Sequence, residues 1–116
     1  MPDFFLDLPQ GTLDLLVLKA LTWSPRHGYA IARILEERTG DRLRIEEGSL
    51  YPALYRMEGK GWIEAEWGES ELGRKAKFYS ITREGRKQLK RQLNHWETVQ
   101  DAVGRVLRTV IRRTLR

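Results

Sequence analysis

The chain has 116 residues, a formal net charge of +5, 41% hydrophobic residues and no cysteine. That length suits one small domain with room for an appended helix, and the missing cysteine excludes disulfides and thiolate-ligated metals. No stretch approaches the roughly 18 apolar residues of a membrane span, and no basic region precedes an apolar one at the N-terminus, so a cytoplasmic protein without a membrane partner is expected.

Residues 1–9 carry Phe4, Phe5, Leu6 and Leu8, too apolar for a solvated tail, and are expected to pack as an arm. A first helix is predicted from Gln10 to Trp23, capped near Gly11 or Thr12, with Leu13, Leu16, Val17, Ala20 and Leu21 as its core stripe. Ser24-Pro25-Arg26 breaks it. A second helix from His27 to Arg38 buries Tyr29 or Ala30, with Ile31, Ile34 and Leu35, and Gly40 ends it. After a short connection anchored by Ile45, a third helix is predicted with Ser49 as its N-cap. Pro52 then falls at the third helical position, where its missing N–H costs nothing. Leu50, Ala53, Leu54 and Met57 share the inner face, whereas Tyr51, Pro52, Tyr55, Arg56 and Gly59 share the outer one. Gly59 and Gly61 stop the helix, Gly61 as a left-handed C′ residue.

Two strand-like runs follow. Residues 62–67 alternate, with Ile63, Ala65 and Trp67 on one face, and residues 75–82 answer with Tyr79 and Ile81 inward. The residues between, Gly68 to Gly73, read as a hairpin loop. Thr82 caps a last helix from Arg83 to at least Leu107. Its stripe of Leu89, Leu93, Trp96, Val99, Val103, Val106, Leu107 and Val110 is far longer than a small domain can cover. The heptad-like spacing argues for a partner helix, and Leu89, Leu93, Trp96, Val103 and Leu107 are the expected dimer interface. Three helices, a hairpin and a long helix make a mainly α chain with a β wing: a winged helix-turn-helix over residues 1–82 and a C-terminal dimerisation helix over 83–116.

The basic balance is local. Arg105, Arg108, Arg112, Arg113 and Arg116 account for the whole excess, so residues 1–104 are neutral, while Arg74 to Arg91 holds eight bases and one acid, Glu84. Such sorting suits a polyanion footprint. A helix in the major groove needs polar and planar groups near its N-terminal end, which Tyr51, Tyr55 and Arg56 supply; the plainer reading packs the tyrosines and solvates Arg56. On pattern alone the two readings balance. Ser49 could cap the helix and bind phosphate, with Pro52 a structural residue beside it. Arg74, Lys75 and Lys77 on the wing are candidate phosphate ligands, or else edge-strand lysines that block pairing, and Glu69 and Glu71 on the same loop oppose phosphate. His27 and His95 lack neighbours at metal-ligand spacing, and no catalytic constellation or cofactor-binding motif occurs, so no enzyme, metal or cofactor is expected. A winged helix used purely for protein interaction is the alternative to DNA binding.

GSLYPALYRMEGKGWI resembles the recognition-helix signature of the PadR family of bacterial winged-helix regulators. GTLDLLVLKAL (Gly11–Leu21), HGYAIARILEE (His27–Glu37) and FYSITREGRKQL (Phe78–Leu89) agree with that family in order and spacing, together spanning about residues 8–90. The resemblance implies a homodimeric repressor of the short form, binding double-stranded DNA through Tyr51, Tyr55 and Arg56 at half-sites about 34–36 Å apart. It also implies a small aromatic or drug-like effector between the C-terminal helices, where Trp96 could stack on it.

Overall fold

Helix α1 (Gln10–Trp23) buries Leu13, Leu15, Val17, Leu18, Ala20 and Leu21. A helix apolar on so many sides must be covered on several sides. In the structure, a computed structural model that describes residues 8–110, α1 is the central element and touches α2, α3, α4 and the sheet. Phe4, Phe5 and Leu6 of the expected arm and Arg112, Arg113 and Arg116 lie outside the described residues, whereas Leu8 packs against the core.

Residues Arg26 and His27 form a two-residue strand, β1, paired with Tyr79 and Phe78. The sequence assigns Arg26 to a helix break and His27 to the start of the second helix, because a two-residue strand carries no periodicity. His27 then caps α2 (Gly28–Arg38), its Nδ1 accepting the Ala30 N–H at 3.1 Å. Of the alternatives at the start of α2, Tyr29 is exposed and Ala30 half-buried. The helix closes on Gly40 at φ +61°.

Helix α3 runs Glu47–Gly59, starting three residues earlier than predicted. Its N-cap is Glu46, whose carbonyl accepts the Ser49 and Leu50 N–H groups. The N-cap assignment to Ser49 is therefore corrected: the start is set by Ile45, buried in the core with its N–H held by the Glu36 carboxylate at 3.0 Å. Pro52 consequently lies inside the helix, where it has no N–H to return to the Gly48 carbonyl. At the other end Gly61, at φ +77°, gives its N–H to Glu58 while Trp62 gives its own to Met57. This is the paired bonding of a Schellman turn.

The sheet has the order β1-β3-β2 and is antiparallel throughout. Strands β2 (Ile63–Glu69) and β3 (Lys75–Ile81) pair from Ile63–Ile81 out to Glu69–Lys75. Pairing continues past Gly68, so the turn is tighter than predicted, with the Ser70 N–H on the Arg74 carbonyl and Gly73 at φ +74°. Ile63 and Tyr79 are buried, but Trp67 has passed the edge of the core and is exposed.

Thr82 joins the wing to α4 (Arg83–Arg108). Its N–H reaches the Trp62 carbonyl, and its hydroxyl lies 2.6 Å from the Gly61 carbonyl, 3.0 Å from that of Trp62 and accepts the Gly85 N–H at 3.0 Å. Gly85 lies so close to the Trp62 carbonyl that a β-carbon has no room there. Leu89 packs against the core, and beyond it α4 runs clear of the domain, giving principal dimensions of 70 × 36 × 22 Å. Its apolar stripe is open, from Val99 at 40% exposure to Leu107 at 77%, and stops there because Thr109 turns extended, so Val110, expected on the stripe, lies beyond the helix. Among the described residues no helix is long and apolar enough to cross a membrane.

Candidate nucleic-acid interface

At 100° per residue, the face of α3 opposite Leu50, Ala53, Leu54 and Met57 centres on Gly48, Pro52, Tyr55 and Gly59. Tyr51 and Arg56 stand on its two flanks, and each flank is clamped. The Tyr51 ring lies over Gly28 of α2, so close that a β-carbon there would sit 2.6 Å from the phenol oxygen. Burial, and then the charge of Glu47, raise the Tyr51 pKa, keeping the phenol protonated and able to donate. On the opposite flank Arg56 donates two hydrogen bonds to Asp14 of α1, at 2.8 and 2.9 Å, and these raise its pKa. The Asp14 side chain is 5% exposed and that of Arg56 28%. A third clamp lies near the helix end, where Lys77 of β3 donates to Glu58 at 3.2 Å.

These clamps redistribute the expected DNA-contacting residues. Tyr55 is 81% exposed and is the large side chain that α3 offers outward. Ser49 and Pro52 are exposed beside it. Tyr51 keeps a solvent-facing edge. Arg56, expected as a solvent-facing cation, is turned toward α1 instead, because a buried carboxylate requires a paired cation. Asp14 belongs to the site although no motif marks it; its one signal in the sequence is an acid flanked by Leu13 and Leu15 on a core helix, which calls for a buried partner.

The wing divides in the same way. Lys77 is half-buried and committed to Glu58, which raises its pKa through that hydrogen bond first and the neighbouring Tyr79 second. Arg74 and Lys75 are exposed, with the Lys75 ammonium 5.4 Å from the centre of the Trp67 ring. Glu71 is folded back onto His27, Oε1 to Nε2 at 3.3 Å. Because His27 Nδ1 accepts from Ala30, the proton sits on Nε2 and is donated to Glu71. The Glu71 carboxyl lies below the usual range, through its own backbone N–H first and His27 second. An acid that would repel phosphate is thus partly satisfied within the protein. Between the start of α2 and the hairpin lies a groove of about 1020 Å³ of mixed charge, its bases Arg26, Arg33, Arg74, Lys75 and Lys77 facing the acids Glu37 and Glu71.

The outer half of α4 is a separate surface. Leu93, Trp96, Val103 and Leu107 are exposed along one stripe, while Leu89 is half-buried at its root. Trp96, 41% exposed, lies on this stripe and not in the groove.

A family model described as the transcriptional regulator PadR-like family matches residues 17–91. Among solved structures, a transcriptional regulator from Clostridium thermocellum is 29% identical with a TM-score of 0.76, covering 83% of this chain and 93% of that one. A PadR-like transcriptional regulator from Bacillus cereus is 31% identical with a TM-score of 0.74, covering 87% and 96%. A PadR family transcriptional regulator from Eggerthella lenta is 34% identical with a TM-score of 0.74, covering 87% and 86%.

Proposed function

The chain belongs to the PadR-like family of transcriptional regulators, and from that membership we propose a cytoplasmic, homodimeric repressor that binds a pseudo-palindromic operator. Residues 1–82 form the DNA-reading domain and residues 83–116 the dimerising arm. The observation that carries this reading is the presentation of α3: three polar or close-packed clamps hold it, and Tyr55 at 81% exposure faces outward. A helix held so firmly yet left uncovered is built to enter a groove. Tyr51, Pro52 and Tyr55 face the bases, Ser49 in the first turn and Arg74 and Lys75 on the wing meet phosphates, and Arg56 docks the helix on α1.

The open stripe of α4 supports dimerisation, since apolar surface of that length on a soluble helix calls for a second helix. Leu89, Leu93, Trp96, Val103 and Leu107 meet their counterparts there, placing two α3 helices on successive major grooves. Trp96 gives a planar aromatic effector a stacking surface at that seam, and the effector acts by preferring one dimer arrangement over another.

The test is binding of the full chain to DNA upstream of its own coding region, followed over a salt titration. Affinity should fall by roughly a thousandfold or more between 50 and 200 mM salt, as for a protein with several phosphate contacts. Tyr55→Ala should remove the sequence preference without unfolding the domain. Binding to neither specific nor random duplexes by a stable dimer would leave a protein-interaction module in its place.

A further inference from the structure

Major-groove readers use a short chemical code: arginine or lysine on guanine, asparagine or glutamine on adenine, an acid on cytosine, a serine or threonine hydroxyl on several edges, and apolar groups on the thymine methyl. Helix α3, EGSLYPALYRMEG, contains no lysine, asparagine or glutamine, and its serine, Ser49, lies by helical phase on the Arg56 flank, away from the centre of the outer face. Its one arginine is held by two hydrogen bonds to an acid that is itself 5% exposed. Withdrawing Arg56 toward a guanine would strand that carboxylate in the core, which opposes the exchange. Of its acids, Glu58 is tied to Lys77, and Glu47 sits by helical phase on the Tyr51 flank, away from the centre of the outer face.

What the centre of that face does carry is apolar and low. Gly48 and Gly59 have open space where a side chain would begin, so the helix backbone can approach the groove floor closely. Between them stand the pyrrolidine ring of Pro52 and the exposed ring of Tyr55. We propose that α3 recognises thymine 5-methyl groups, packed against Pro52 and Tyr55, and that guanine edges contribute little to its specificity. The proposal rests on the DNA-binding reading above and names the base feature that reading leaves open.

The experiment uses the full chain and a duplex it selects from a random pool. Three versions of that duplex are compared by fluorescence anisotropy: the natural one, one with uracil for thymine in the contacted half-sites, and one with 7-deazaguanine for guanine. Uracil pairs as thymine does but lacks the methyl, and 7-deazaguanine lacks the N7 acceptor. Affinity should fall about fourfold for each contacted methyl removed, the value of one buried carbon. It should change less than about twofold with 7-deazaguanine, which removes half of a bidentate arginine contact. Uracil confined to the flanks should have no effect, and Tyr55→Ala, altering an exposed side chain, should discriminate the thymine from the uracil duplex less than the parent does, the Pro52 contact remaining. A loss of about tenfold or more with 7-deazaguanine, with thymine and uracil equivalent, would overturn the proposal by showing that Arg56 leaves Asp14 for guanine. A chain that selects no sequence and binds no duplex would instead defeat the DNA-binding reading itself.

Discussion

Replacing Arg56 with alanine leaves the Asp14 carboxylate, 5% exposed, without the two hydrogen bonds that now satisfy it. Stranding a buried charge costs about 3–5 kcal/mol. The guanidinium is 28% exposed, so solvent already weakens the pair, and the lower end, about 3 kcal/mol, is the appropriate figure. Asp14→Ala should cost less, about 1–2 kcal/mol, since Arg56 is long enough to turn its charge into water. The double variant removes both charges, so its cost should fall short of the sum of the single ones by about 1.5–3 kcal/mol. Urea unfolding of all four proteins at one fixed concentration supplies the cycle, the fixed concentration being necessary because the chain is proposed to dimerise. Single costs that add to within about 0.5 kcal/mol would refute the claim that the pair clamps α3 to α1.

Three other perturbations probe the rest of the fold. Gly85→Ala puts a β-carbon into the Trp62 carbonyl, a backbone atom that cannot step aside; the expected result is loss of the folded state, and a native-like cooperative melt by circular dichroism would contradict it. Gly28→Ala instead meets the end of the Tyr51 side chain, which can swing outward. It should leave stability within about 1 kcal/mol of the parent yet weaken operator binding about tenfold, a loss of about 1.4 kcal/mol readable by anisotropy. Val103→Glu with Leu107→Glu, both at exposed positions of α4, should give a folded monomer by sedimentation equilibrium, and a dimer of undiminished affinity would place the interface elsewhere.

How much of this was legible depended on whether the signal was local. The bounds of α1 and the start of α4 followed from helical periodicity and from Thr82, whose capping bond to Gly85 spans only three residues. Gly61 was readable because only a left-handed residue closes that turn. The start of α3 was misplaced because Ser49 is the better capping residue by chemistry. The pinning of Ile45 by Glu36, nine residues away, outweighed that local preference. Strand β1 was invisible because it exists only through its pairing with Phe78 and Tyr79. The orientation of Arg56 was hidden for the same reason: its partner lies 42 residues upstream. Helical phase puts the arginine on a flank of the outer face of α3 but cannot name the neighbouring element that claims it.

The Trp62 carbonyl, which receives the Thr82 N–H, lies 3.0 Å from its hydroxyl and abuts Gly85, has a mechanical consequence. The exit of α3, the first wing strand and the root of α4 meet at this one peptide, so the joint has almost no play. In the proposed dimer, each DNA-reading domain would be fixed rigidly on its own α4, like the jaw of a calliper, so that only the α4 seam can set the opening. The operator should therefore tolerate base changes in the uncontacted centre far better than changes in its length. A single inserted base pair shifts one half-site by about 3.4 Å and rotates it by roughly a tenth of a turn. With no slack at Trp62 to absorb either displacement, that insertion should cost more affinity than any single central substitution.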